Sequence, residues 1–124
     1  MPKKNIKTQS SYMDCSKTCA IYERQSHDYD NNTKKNQFDK CMNIATKNNL
    51  ALYAFYFEKI TAVQIPIYER KEFYSLICDA KAGRFKTLIV ATLDRLTRNY
   101  NEYLNLKLLL KELNIKLIVA NLYF

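Results

Sequence analysis

The sequence predicts an α/β fold: a three-layer domain with a mainly parallel, four-stranded sheet and helices on both faces. Three observations predict it. Strand-like apolar runs alternate with segments whose apolar residues recur at i, i+3, i+4 and i+7, in the order strand, helix, strand, helix, strand, helix, strand. Two of the runs, residues 51–57 and 87–93, are apolar or β-branched almost throughout, as in strands buried on both faces. The arginine-rich clusters follow strands, on the edge where an open parallel sheet gathers its ligand-binding loops. At 124 residues the chain has room for one core.

Residues 1–17 are polar, lack periodicity and include Pro2, so a flexible basic arm is expected there and the folded domain over residues 18–124. The first strand falls at residues 19–25. After a short Asp/Asn-rich loop at residues 28–32, Phe38, Cys41, Met42 and Ala45 mark one face of a first helix. Residues 51–57 form the second strand; the connection over residues 58–69 is long, and Pro66 argues against continuous strand within it. Phe73, Leu76, Ile77 and Ala80 give the second helix, with Gly83, the only glycine, at its C-cap. Residues 87–93 are the third strand, Tyr103, Leu106, Leu110 and Leu113 mark the third helix, and residues 116–122 close as the fourth strand.

A formal charge of +8 and a pI of 9.3 favour a polyanionic partner, nucleic acid first. The arm supplies +3 of that charge, so the excess is not merely a basic tail. Cys15, Cys19, Cys41 and Cys78 read as structural thiols, with Cys41 and Cys78 at core positions. The isolated Cys15-x3-Cys19 spacing and a single histidine, His27, make no zinc set; no metal is expected, and His27 reads as an exposed loop residue. No apolar run is long enough for a bilayer and no secretory leader opens the chain, so a cytoplasmic protein is expected. One glycine builds neither a Walker-type loop nor a dinucleotide-binding turn.

Side chains alternate along a strand, so Arg24 and Ser26 point to the same side where the first strand ends. An arginine beside a hydroxyl suits attack on a phosphate: the guanidinium grips two oxygens while the serine oxygen approaches phosphorus. Arg-x-Ser by itself equally fits a strand-end arginine and a turn-capping serine. The third strand runs into Asp94-Arg95-Leu96-Thr97-Arg98. Turned helically, this stretch sets Arg95 and Arg98 on one face and Asp94 one turn before Arg98. Its plainer reading is a solvated turn with an Asp94–Arg98 ion pair. Arg70, at the start of the second helix, offers a further guanidinium. Several arginines around one hydroxyl would stabilise the extra charge of a pentacoordinate phosphorus.

Taken together, Tyr22-Glu23-Arg24-Gln25-Ser26, Gln37 at the head of the first helix, Arg70, and Asp94-Arg95-Leu96-Thr97-Arg98-Asn99 resemble the catalytic domain of the resolvase/invertase family of serine recombinases, over residues 18–122. The resemblance implies a resolvase-like fold and a Ser26 that attacks DNA, becomes joined to a 5′ phosphate and releases a 3′ hydroxyl. It implies that Arg24, Arg70, Arg95 and Arg98 hold the phosphate, with Gln37, Asp94 and Lys81 in support. DNA strand exchange by dimers that pair into tetramers, in the recombination or integration of mobile elements, is implied too, with no metal, small-molecule cofactor or membrane.

The chain departs from that pattern in four places. The arm precedes the serine motif; Ile60-Thr61-Ala62-Val63-Gln64 stands where a Ser-Gly element is usual; Lys86 replaces an acidic residue; and the sequence given stops at Phe124, before a long helix and a DNA-reading domain. The 124 residues alone are therefore expected to be inactive and to bind DNA weakly, through salt-sensitive phosphate contacts. One alternative is a non-catalytic binding or oligomerisation module of the same fold, against which the retained serine and arginines speak. Another is a flavodoxin-like receiver, which needs acidic strand ends where this chain has basic ones.

Overall fold

The computed structural model describes residues 15–25, 31–60 and 65–120. Four parallel strands, β1 (Thr18–Gln25), β2 (Ala51–Lys59), β3 (Thr87–Val90) and β4 (Lys116–Val119), lie in the order β2-β1-β3-β4. Helices α1 (Asn31–Lys47), α2 (Lys71–Lys81) and α3 (Tyr100–Glu112) connect them. The α/β class, the parallel sheet and the three layers are as the periodicity predicts.

All eight positions of β1 are buried, so strand alternation sorts its side chains between two cores. Ala20 and Tyr22 pack with Phe73, Leu76, Leu106 and Leu110 under α2 and α3. Cys19 and Ile21 pack with Cys41 and Ala45 under α1. Each large apolar side chain so buried contributes about 1.5–3 kcal/mol. The same alternation carries Arg24 to the α2/α3 face and Glu23 and Gln25 to the α1 face.

Several boundaries differ from the expected ones. The third strand ends at Val90, where both its ladders stop: Val90 pairs Tyr22 of β1, which itself runs on to Gln25, and Val119, the last residue of β4. Leu93–Arg95 is a 3-10 turn instead. Helix α1 starts at Asn31, so Asn31 and Asn32 are helical and Gln37 lies two turns in, not at the head. Its first two turns hold no apolar residue, which left no period to read. Cys19 and Cys41 are buried as expected, whereas Cys78 is exposed, since five residues beyond Phe73 is the far side of α2. Cys15–Lys17 form a 3-10 turn inside the expected arm, whose residues 1–14 lie outside the described residues, as do residues 121–124. Among the described residues no helix is long and apolar enough to cross a membrane.

Helix α2 ends as predicted, with Ala82 as C-cap and Gly83 at φ +75°. A Cβ at position 83 would meet nothing within 4 Å, so its cost is conformational alone. Gly83→Ala is expected to lower stability by about 1 kcal/mol in a denaturant titration, and a loss several times larger would contradict this account.

Candidate active site

Arg24 is the penultimate residue of β1, Arg70 is the N-cap of α2, and Arg95 and Arg98 follow β3, and the structure joins their loops at the carboxyl edge of the sheet. Arg24 donates from Nη1 to the Ile60 carbonyl at 3.2 Å and from Nη2 to the Asp94 carbonyl at 3.1 Å. Arg95 returns the contact, Nη1 donating to the Arg24 carbonyl at 3.1 Å. Arg70 donates to the Leu96 carbonyl at 2.6 Å, to the Tyr22 hydroxyl at 3.3 Å and, through Nε, to the Ile65 carbonyl at 3.4 Å. Three guanidiniums thus knit the 93–98 turn to β1 and α2. Arg98 is 61% exposed and pairs with Asp94 at 3.7 Å.

Arg24 and Arg70 are only 3% and 1% exposed. The oxygens that hold Arg24, Arg70 and Arg95 in these contacts are neutral, so the contacts cancel none of the positive charge. Burial, and then the charges of Arg70, Arg95 and Arg98, depress the Arg24 pKa below its ordinary value. Like charges gathered in a low-dielectric edge cost free energy, which a bound anion would recover. The Nε–H groups of Arg24 and Arg95 are buried without a hydrogen-bond partner among the described residues. Although burial opposes it, the hydrogen bond from Thr92 and the charges of Arg95 and Arg98 draw the Asp94 carboxyl below its usual range.

A polar frame holds this cluster. The Tyr22 hydroxyl accepts from Arg70 and donates to Glu58 Oε1 at 3.2 Å, while Glu58 also accepts from the backbone N–H groups of Glu72 and Phe73 at 3.0 Å. A carboxylate from β2 therefore caps α2, whose N-cap Arg70 makes no side-chain cap bond. Burial first, and then Glu58, push the Tyr22 phenol far above its usual value. At the next helix, Asn99 Oδ1 accepts from the Glu102 N–H at 3.1 Å, and Glu102 accepts from Thr97 Oγ1 and from the Ile67 N–H. That carboxylate ties the connection before Arg70 to the start of α3.

On the α1 face, Gln25 Nε2 donates to Glu23 Oε2 at 2.8 Å. Burial pushes the Glu23 carboxyl up to about 7, although Gln25, Arg95 and Lys34 pull the other way.

Of the residues singled out from sequence, Arg24, Arg70, Asp94, Arg95 and Arg98 come together. Ser26 and His27 lie outside the described residues. Gln37 belongs to α1, on the other face of the sheet, with its Oε1 buried and without a partner among the described residues. Lys81 does not join the group: it is the exposed last residue of α2, a helix of 11 residues and about 16 Å that begins beside Arg70. Sequence reasoning missed the Tyr22 hydroxyl, Glu23 and Glu102 as site supports, and it places Glu58 at the end of the second strand without a role. A carboxylate ending a buried strand was the available signal for Glu58, which pairs with Arg24 in the β1–β2 register. Among the described residues no group of three or more His, Cys, Asp or Glu could hold a metal.

A family model described as "Resolvase, N terminal domain" matches residues 19–123. No curated protein matches the chain. Among solved structures, the N-terminal catalytic domain of TP901-1 integrase is similar at 25% identity over 85% of this chain and 78% of that one, with a TM-score of 0.71. The first open reading frame of transposon ISC1904 from Sulfolobus solfataricus P2 shares the fold at 19% identity, covering 86% of this chain and 69% of that one, with a TM-score of 0.66. A resolvase family site-specific recombinase from Streptococcus pneumoniae does so at 18% identity, over 83% and 71%, with a TM-score of 0.67.

Two outcomes follow from the frame. Tyr22→Phe keeps the ring, which packs edge-on against Phe73, but strips Glu58 and Arg70 of a partner; a loss of about 1–3 kcal/mol in chemical denaturation is expected. Because the folded-state pKa of Glu23 lies above its unfolded value of 4.5, the folded state holds that proton more tightly. The stability so gained is full below pH 4.5 and is lost as pH rises through about 7, up to about 3 kcal/mol in all. Glu23→Gln should remove that slope from stability measured against pH, and an unchanged slope would assign it elsewhere.

Proposed function

The chain belongs to the resolvase family of serine recombinases, whose N-terminal-domain model covers residues 19–123, and from that premise we propose that it cleaves and rejoins DNA strands with Ser26 as the nucleophile. The family's business is site-specific recombination. In the proposed step Ser26 Oγ forms a bond to phosphorus as the bond from phosphorus to O3′ breaks. The serine loses its proton, the departing O3′ gains one, and the 5′ phosphate stays on the enzyme as a phosphoserine ester. Attack by a 3′ hydroxyl of the recombining strand runs the same step backwards, so the ester conserves the energy needed for rejoining.

The observation that carries this reading is the convergence of Arg24, Arg70 and Arg95 on neutral oxygens at the strand ends. Ser26 lies outside the described residues, and its place on the side of Arg24, two residues on in the sequence, is part of the proposal. Charge on the non-bridging phosphate oxygens grows toward the transition state, and guanidiniums already fixed by the backbone need no reorganisation to meet it. Arg98, the most exposed of the four, is suited to reach a phosphate in the DNA backbone. Asp94 orients Arg98, and Tyr22 with Glu58 orients Arg70. Dimers pairing into tetramers on DNA are part of the proposal.

The test is incubation of the protein, in its full gene-encoded length, with paired DNA sites under conditions that trap cleavage. A covalent protein–DNA adduct is expected, absent in Ser26→Ala. Arg95→Ala should slow its formation by about 100-fold or more. A folded, DNA-bound protein that forms no adduct would favour the non-catalytic module.

A further inference from the structure

The α1 face of β1 holds an ionisable group that the reaction above does not use. Glu23 is 1% exposed, and its Oε1 is buried without a hydrogen-bond partner among the described residues. Helix α1 covers it with one stripe, Lys34, Gln37 and Cys41 at i, i+3 and i+7. The Lys34 ammonium rests 4.2 Å from the ring centre of Phe57, the residue paired with Glu23 across the β1–β2 ladder. From the sheet edge comes Arg95, whose Nη1 is anchored on the Arg24 carbonyl, between the Glu23 and Gln25 side chains in sequence. The other neighbours on this face, Phe55, Ile89 and Ala91, carry no charge. Among the described residues the ionisable groups facing Glu23 are therefore Lys34 and Cys41 from α1 and Arg95 from the turn after β3, with the Cys41 thiol pushed up to about 12, chiefly by burial and then by Glu23.

Glu23 is thus a carboxyl for which both protonation states are accessible near neutral pH. In its charged form it competes for Arg95. In its neutral form it no longer draws on the Arg95 charge, and Gln25 still donates to its Oε2. An anion held by Arg95 adds negative charge beside Glu23 and disfavours its ionisation. By reciprocity, a protonated Glu23 must favour the anion.

We propose that Glu23 is a positioning residue whose proton is linked to anion binding at Arg95: the pocket takes a phosphate or sulfate group more tightly with Glu23 neutral, and filling it draws a proton onto this carboxyl. The inference rests on the reading that the arginines bind phosphate. It makes DNA engagement favour the acid side of neutrality, through a residue that touches no DNA.

Sulfate, which does not titrate in this range, is the probe, followed by a short DNA duplex. Calorimetry of the 124-residue chain at pH 6, 7 and 8, in buffers of different ionisation enthalpy, measures both affinity and protons exchanged. Affinity is expected to fall about tenfold from pH 6 to 8, with up to one proton taken up on binding near pH 7. Glu23→Gln should bind at pH 8 as the wild type does at pH 6, without proton uptake. His27→Gln should keep the wild-type slope, which separates the only histidine from the effect. Wild-type binding that is independent of pH and proton-neutral overturns the inference, even if Glu23→Gln fails to fold, as does a Glu23→Gln protein with the wild-type slope. Absence of binding at every pH, or binding indifferent to Arg95→Ala, overturns the phosphate-pocket reading as well.

Discussion

A buried guanidinium must find oxygen, and at this sheet edge the oxygen is supplied by the backbone. Arg24 holds the carbonyls of Ile60 and Asp94, Arg70 that of Leu96, and Arg95 that of Arg24. Neutral acceptors fix the geometry without discharging the charge. Had carboxylates filled these places, the same side chains would make a self-satisfied ion-pair network with little left for a ligand. What the edge gathers instead is concentrated positive charge in a fixed geometry, the property on which the proposed phosphate binding rests.

The rest of the molecule follows from that constraint. Strands β1 and β3 set the ends on which the carbonyls sit, and the 3-10 turn at Leu93–Arg95 brings the second arginine cluster back over β1. Alternation along β1 divides the labour between two faces. Tyr22 and Arg24 meet Arg70 under α2, where Glu58 caps the helix and accepts a hydrogen bond from the Tyr22 hydroxyl. Glu23 and Gln25 turn the other way, under α1, and bring an acid with a raised pKa within reach of the same arginines. A single strand thereby couples the arginine cluster to two cores.

The fold class was legible because its signals are local. Apolar periodicity marks each element, and Gly83 marks a helix end. Boundaries failed where the local signal was silent or continuous: Asn31 to Gln37 carry no apolar residue to reveal a helix, and the apolar run continues past Val90 although its ladder with β4 does not. Cys78 fell on the wrong side of α2 because a small apolar residue at a helix end belongs to either face. The arginines were legible from the rule that ligands gather at the carboxyl ends of parallel strands. Their supports were not, since the bond from Tyr22 to Glu58 spans 36 residues and exists only through the β1–β2 register. Lys81 was carried over by resemblance, and the direction of α2 takes it away from the cluster.

Crystals of the chain soaked in selenate, with the anion located by anomalous scattering, test the central claim most directly. The account predicts one ordered anion within hydrogen-bond distance of two or more of the guanidiniums of Arg24, Arg70, Arg95 and Arg98, with the carbonyl contacts of Arg24 and Arg70 intact. Selenate bound only at separate surface lysines, with the arginine cluster empty and accessible, would contradict it.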